Sequence, residues 1–147
     1  MRRVMTEIIA QRIGPVDFRS VEAEKMILLF MELTKKQNGK GFDAIRAFCQ
    51  DSTKPEIMRD SLKKMGENTL IGELKAIYVW ELENSEYRGK ELLDRLIASE
   101  GSLLILRKEN PLFVYEYLAG FFGEKNYKSL RVNLKSLYLS MVSIENS

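Results

Sequence analysis

Apolar residues recur at intervals of three and four along most of this chain, and that period restricts the fold to one built mainly from helices. The segment from Val21 to Lys36 shows the period most clearly. Its stripe and the apolar residues that widen it are Met26, Leu29, Phe30, Leu33, Ile27, Leu28 and Met31. A stripe this wide is typical of a helix that is buried on most sides. We therefore expect a central helix here.

Three shorter segments repeat the helical period: "GFDAIRAFCQ", "PEIMRDSLKKMG" and "KELLDRLIAS". Pro55 suits the first position of the second helix, where no backbone N–H is needed, and Gly66 suits its end. The apolar residues that we expect on the buried faces are Phe42, Ile45, Phe48, Cys49, Ile57, Met58, Leu62, Met65, Leu92, Leu93, Leu96 and Ile97.

Two short apolar segments, "KAIYVWEL" and "SLLILRK", fit either a strand or a helix, because β-branched and aromatic residues are frequent in both. The residues that continue a helical register through the first segment are Leu70, Leu74, Ile77 and either Trp80 or Glu81. We therefore favour a helix for it. The second segment could form either a strand or a helix. It follows "SEGS", which is typical of a break between secondary-structure elements.

These patterns predict an all-α fold, a compact bundle of six or seven helices in one domain, residues 1–147. The length and the composition, 45% hydrophobic and 30% charged, suit a single globular domain. The alternative is a small α+β fold with a β-hairpin, similar to a winged helix.

The cysteine and histidine content limits the compartment and the chemistry. Cys49 is the single cysteine and the chain has no histidine, so an internal disulfide and a zinc site are both excluded. No apolar run reaches the roughly 18 to 20 residues that a membrane span needs. We expect a cytoplasmic protein that does not bind a membrane.

The lack of histidine also excludes Ser-His and Cys-His nucleophiles. Two carboxylate pairs remain, Glu81 with Glu83 and Glu91 with Asp94, but they lie among lysines and arginines on what we interpret as solvated helix faces. "NGKGF" lacks the spacing of a phosphate-binding loop. We expect no catalytic residue, no cofactor and no metal, and hence no enzyme.

Aromatic residues are concentrated after Asn110, a predicted N-cap that precedes Pro111. The rings and their apolar neighbours at helical spacing are Phe113, Tyr117, Phe121, Val114, Leu118 and Phe122. Because a base-stacking platform needs exposed rings, and these share a helix with Val and Leu, we expect a core stripe.

A basic segment follows the rings, although the net charge of the chain is only +2. Every charge between Lys125 and Ser140 is positive, and Lys128, Arg131 and Lys135 form a line at spacings of three and four. The predicted buried face of this segment is Leu130, Leu134, Leu137, Tyr138 and Met141. The basic line is suited to binding phosphates, and it is equally well explained as a solvated face.

One alternative function is DNA regulation. "FDAIRAFCQDSTKPEIMRDSLKKMGENTLI" has the pattern of a helix-turn-helix and is similar to the recognition segment of winged-helix regulators. The basic residues in its second half are Lys54, Arg59, Lys63 and Lys64. The segment that follows, "GELKAIYVWELENSEY", shows no clear turn for a wing.

A second pattern covers more of the chain. "KKQNGKGFDAIRAF", Trp80 before a polar linker, "ELLDRLIAS" and "LFVYEYLAGFF" occur in an order and spacing that resemble the small α-helical subunits of type III-B CRISPR effector complexes. The similarity spans Thr34 to Phe122. The insertion "RIGPVDFRS" and the basic segment after Gly123 depart from the family pattern.

The resemblance implies a bundle without activity of its own, present in several copies along a guide RNA and its target, with basic faces on the nucleic-acid backbone. Its partners would be other subunits, RNA or another single-stranded nucleic acid, and further copies of itself. The candidate contact residues are Lys35, Lys36, Lys128, Arg131, Lys135, Arg2 and Arg3. The remaining alternative is a protein–protein adaptor that does not touch nucleic acid.

Overall fold

A computed structural model describes residues 21–40 and 42–122, and α-helices account for most of them. These residues contain one short 3-10 turn, Gly120–Phe122, and no strand, which confirms the predicted all-α bundle. The α-helices are α1 (Val21–Lys40), α2 (Asp43–Gln50), α3 (Glu56–Lys63), α4 (Ile71–Glu83), α5 (Gly89–Leu106) and α6 (Pro111–Ala119). None of them combines the length and the apolarity that crossing a lipid bilayer would need.

Two long helices, α1 and α5, hold the bundle together. α5 packs against α1, α3, α4 and α6, and α1 also packs against α2 and α6. Met26, Ile27 and Phe30 of α1 are fully buried, so the predicted central helix is confirmed. The shorter helices bury the faces that their periods predicted, including Ile45 and Phe48 of α2 and the α3 residues Met58 and Leu62. Pro55 is the N-cap of α3, one position before its predicted place.

The predicted break at "SEGS" is wrong, because α5 runs through that sequence. The ambiguous "SLLIL" belongs to the same helix. Small residues suit this part of α5 since it lies in close contact with α1. Gly101 faces the ring of Phe30, and a Cβ built at Gly101 would lie only 2.6 Å from Cζ of that ring. The hydroxyl of Ser102 is satisfied inside the helix, where it donates to the carbonyl of Ala98 at 2.8 Å.

α4 is helical, as favoured, but its buried face differs from the predicted register. The structure buries Leu74 together with Lys75, Tyr78, Val79 and Leu82. Of the apolar residues in the predicted register, only Leu74 is buried. α4 has apolar residues on all of its sides, so the spacing of these residues did not identify the side that faces the core. The hydroxyl of Tyr78 is buried with a partner, since it donates to the carbonyl of Ser61 at 2.7 Å.

α6 starts as predicted and buries a different face. Pro111 is its first residue, and the side chain of Asn110 accepts a hydrogen bond from the N–H of Phe113 at 2.9 Å. The core residues of α6 are Val114, Tyr115, Leu118 and Ala119. The predicted core stripe of rings is wrong in part: Phe113 is 42% exposed, and Tyr117 and Phe121 are half-buried at the edge of the core.

Candidate interaction surfaces

Lys35 and Lys36 are the candidate contact residues that fall within the described part of the chain. Both are exposed near the end of α1. The ammonium of Lys36 lies 3.0 Å from a carboxylate oxygen of Glu32, one turn earlier on the same helix. Since an exposed ion pair of this kind is weak, it leaves Lys36 available to a phosphate. The other candidates, Arg2, Arg3, Lys128, Arg131 and Lys135, lie outside the described residues.

A groove of about 460 Å³ between α1 and α2 has Lys36 on its wall. Its apolar lining includes Leu29, Leu33 and Phe48, and the ammonium of Lys54 lies 5.7 Å from the Phe48 ring centre. The charged residues that line it are Glu32, Lys36, Asp43, Asp51 and Lys54. Three carboxylates against two lysines make this groove unlike a uniformly basic phosphate channel.

Asp51 keeps its negative charge in that groove to lower pH than an ordinary aspartate. The hydroxyl of Thr53 donates to the Asp51 carboxylate at 2.6 Å, and the N–H of Thr53 donates to the same oxygen at 3.0 Å. These hydrogen bonds stabilise the ionised form and lower the pKa of Asp51.

The helix-turn-helix segment folds as α2 and α3 joined by a short turn. Some of its basic side chains interact with other groups of the protein. The guanidinium Nε of Arg59 donates to the carbonyl of Lys54 at 3.0 Å. Lys64 lies 3.2 Å from a carboxylate oxygen of Glu81 on α4. Residues 42–122, where the wing strands would follow, contain no strand. These contacts give no specific support to a DNA-reading surface here.

Most of the large apolar residues exposed on the described surface lie on α4 or at its N-cap. Leu70, Ile77 and Trp80 are 65%, 43% and 66% exposed, and they account for three of the five large apolar residues that are exposed in the described chain. Spacings of seven and three place them on one side of the helix. Glu73 and Glu83, both exposed, lie on the same outward side. We call these five residues the α4 face.

The α4 face is acidic as well as apolar. From Gly66 to Tyr87 the sequence has five carboxylates and one lysine, and that lysine, Lys75, is buried on the inner side of α4. Neither Glu73 nor Glu83 forms an ion pair with a described residue. An apolar centre with negative charges around it would suit a partner with an apolar centre and positive charges.

A cleft of about 260 Å³ adjoins the α4 face at Trp80. Lys64 and Glu81 form their ion pair on one wall of the cleft. The guanidinium of Arg95 stacks on the ring of Tyr87, 4.5 Å from its centre, on another wall. A protein side chain placed on Trp80 therefore has a polar rim beside it, which is the usual surrounding of an interface centre.

The carboxylates that we considered for catalysis lie in different surroundings in the structure. Glu81 pairs with Lys64, while Glu83 is exposed two residues further on, and residues two apart do not face each other on a helix. Asp94 is buried on α5, whereas Glu91 is exposed. Within residues 21–40 and 42–122, no three acidic or cysteine side chains come together as a group that could hold a metal ion.

No protein-family model matches the chain, and no curated protein and no solved structure matches it at a significant level.

Sequence reasoning missed the α4 face. The signal was present in the seven-and-three spacing of Leu70, Ile77 and Trp80 with carboxylates beside them. The signal was ambiguous because Leu74, Tyr78 and other apolar residues of the same helix form a second stripe, and only the tertiary packing shows which stripe is buried.

Proposed function

We propose that the protein is a non-catalytic helical subunit of a nucleoprotein assembly of the RNA-guided, CRISPR antiviral type. In this role it packs against neighbouring subunits and contacts the backbone of RNA or another single-stranded nucleic acid through basic residues. The α4 face supports the packing role. The exposed Lys35 and Lys36 and the basic residues outside the described chain support the backbone contacts.

The observation that carries this proposal is the exposed cluster of Leu70, Ile77 and Trp80. Single exposed apolar residues are normal, but a cluster that includes tryptophan is typical of a protein interface. A protein whose function was to bind a small substrate would be expected to concentrate such residues in a concave pocket. Here they form an outward helix face, which favours a subunit or adaptor.

Contacts with a nucleic-acid backbone need only positive charge at suitable positions, because phosphates carry no sequence information. Lys35 and Lys36 offer adjacent ammonium groups near one end of the bundle. Binding through such residues would be weak for one copy and sensitive to salt. It would become strong only when several copies lie along one strand.

Fluorescence anisotropy with labelled single-stranded RNA, single-stranded DNA and duplex DNA tests the proposal, at roughly 50 and 200 mM salt, a range over which phosphate contacts weaken strongly. We expect weak binding to single strands, without base preference. Two variants, Lys35→Ala/Lys36→Ala and Arg131→Ala/Lys135→Ala, separate the candidate surfaces.

Lys25→Ala/Lys90→Ala is the matched control, since both lysines are exposed and the variant removes the same charge elsewhere. Binding that falls in either candidate variant and not in the control supports the proposal. A preference for one duplex sequence would favour the DNA regulator. The absence of binding at both salt concentrations would favour the adaptor.

A further inference from the structure

We infer that the α4 face of one copy, together with the cleft beside Trp80, binds the corner between α5 and α6 of a second copy, and that Arg95 of the cleft pairs with Glu109 of that corner. This inference rests on the proposed function, because it names the neighbour that packs on the α4 face. Every residue that carries it lies in the described part of the chain.

Arg95 provides the first observation. The guanidinium of Arg95 lines the cleft beside Trp80 and stacks on Tyr87. Its side chain is half-buried, and its Nε is enclosed without a hydrogen-bond partner. No carboxylate of a described residue forms an ion pair with Arg95. Little water can separate charges in such a site, and a planar guanidinium suits a carboxylate, so an acidic side chain brought into the cleft would bind Arg95 strongly.

The exposed apolar residues provide the second observation. Of the five large apolar residues exposed on the described chain, the two that are not part of the α4 face are Leu112 and Phe113. They are adjacent in the first turn of α6, and they are 47% and 42% exposed. α4 and α6 have no extensive contact with each other, so the two apolar patches lie apart in one copy. A contact between the α4 face of one copy and α6 of another would bury both patches.

The charges beside the second patch complement those of the first. Glu109 lies three residues before Leu112, is half-buried, and forms no ion pair with a described residue. Two exposed basic residues precede Glu109, and they also lack an ion-pair partner among the described residues. We call the whole set the α6 corner: Arg107, Lys108, Glu109, Leu112 and Phe113.

The α6 corner therefore has an apolar pair, one carboxylate and two positive charges. The surface that it would cover has an apolar centre, the unpaired guanidinium of Arg95 and the carboxylates of Glu73 and Glu83. Since both Trp80 and Arg95 line the cleft, an apolar side chain placed on Trp80 brings a nearby carboxylate towards Arg95. Opposite charges on the two surfaces favour this pairing.

The alternative contact, between two α4 faces, is less favourable. It would bring Glu73 and Glu83 of both copies together, and like charges placed opposite each other in an interface oppose association. It would also leave Leu112 and Phe113 exposed to water.

Because the α4 face and the α6 corner are different surfaces, the contact is heterologous, and repeating it produces a row of copies. Lys35 and Lys36 lie on α1, outside both surfaces, and remain available to phosphates. The packing surfaces and the nucleic-acid surface are thus separate.

Sedimentation velocity of the full chain over a range of concentrations, without nucleic acid and at low salt, tests this contact. We expect the wild-type protein to form species that grow with concentration. Arg95→Glu and Glu109→Arg should each weaken this association by about tenfold or more, because like charges then meet in the interface. An equimolar mixture of the two variants should associate again, since every contact between unlike copies pairs opposite charges.

Lys25→Glu is the matched control, because it reverses one positive charge at an exposed position outside both surfaces and should associate as the wild type does. Trp80→Gln and Leu112→Gln test the apolar parts and should both weaken association. Circular dichroism shows whether each variant keeps its helices. A wild type that stays monomeric, an Arg95→Glu or Glu109→Arg variant that associates normally, or a mixture of folded variants that stays monomeric would each overturn the inference.

The RNA titration separates this inference from the proposed function. If the protein binds single strands but never self-associates, the copy-to-copy contact is wrong and the proposed nucleic-acid role stands. If copies associate through the two surfaces while no nucleic acid binds, the contact stands and the nucleoprotein role is wrong.

Discussion

At the scale of single residues, Tyr78 shows how this core accommodates a polar group. Its side chain is 2% exposed, and its hydroxyl donates to the carbonyl of Ser61 on α3 at 2.7 Å. The hydrogen bond therefore joins α4 to α3. Burial disfavours the phenolate and raises the pKa of Tyr78 well above its ordinary value of 10.0.

We expect Tyr78→Phe to lower the free energy of unfolding by about 1 kcal/mol near neutral pH, because a buried hydrogen bond is lost. The raised pKa of Tyr78 means that its contribution to stability is complete below the unfolded pKa of 10.0. This contribution is lost as the pH rises, since the unfolded chain releases a proton that the folded chain retains.

Urea unfolding followed by circular dichroism at a series of pH values measures this effect. The difference in stability between the wild type and Tyr78→Phe should narrow above pH 10.0, the ordinary pKa of tyrosine. Comparing the two proteins removes the contribution of the other five tyrosines, since the chain has six. A constant difference across that range would show that Tyr78 ionises as readily in the folded protein as in the unfolded one.

At the scale of elements, the crossing of α1 and α5 depends on Gly101. A Cβ at this position would lie 2.5 Å from Cδ2 and 2.6 Å from Cζ of Phe30. Ordinary Cβ contacts are never this close, so any larger residue requires the ring or the helix to move. Glycine in the middle of a helix normally weakens it, but here it permits a close contact between the two longest helices.

We expect Gly101→Ala to destabilise the protein by up to about 2 kcal/mol, because an overpacking cost of about 1–3 kcal/mol is only partly offset by a gain in helix propensity of about 1 kcal/mol. Thermal or chemical unfolding measures the change. Gly72→Ala is the matched control on α4: its Cβ would have no atom within 4 Å, so it should leave stability unchanged or raise it.

The double variant Phe30→Ala/Gly101→Ala tests the cause. Relative to Phe30→Ala alone, the added methyl group should no longer destabilise the protein, because the ring that it would contact is absent. If Gly101→Ala raises stability in the wild-type background, α1 and α5 are not in the close contact described here.

The elements also differ in how much of them could be predicted. The period in α1 gives a single wide stripe, so both the helix and its buried residues, such as Phe30, follow from the sequence. α4 has apolar residues on all sides, so the period predicts the helix but not its inward face. In α5 the small residues around Gly101 resemble a break, because the contact with Phe30 that explains them comes from a distant part of the chain.

At the scale of the whole molecule, the single tryptophan lies on the surface that we propose for packing against a neighbour. Trp80 is 66% exposed on the α4 face, and α4 packs on the bundle mainly through α5. An indole in this position responds little to the core and strongly to whatever covers the α4 face. Its fluorescence therefore reports on assembly.

We expect acrylamide to quench the Trp80 fluorescence efficiently in dilute protein, because most of the indole contacts water. As concentration increases, quenching should decrease and the emission should shift to shorter wavelength, since the neighbour excludes water from the indole. Strong protection of the wild type even at high dilution would mean that the face is covered within a single chain.

The sequence by itself determined that the described part of the chain is helical, that α1 is central, that Asn110 and Pro111 begin a helix, and that the chain has no histidine and no internal disulfide. Each follows from local spacing or from composition, which need no partner in space. The exposed side of α4, the continuity of α5 and the exposure of Phe113 were decided only by the tertiary structure. Where apolar residues exceed the area that one contact can bury, packing between distant helices selects which of them meet water.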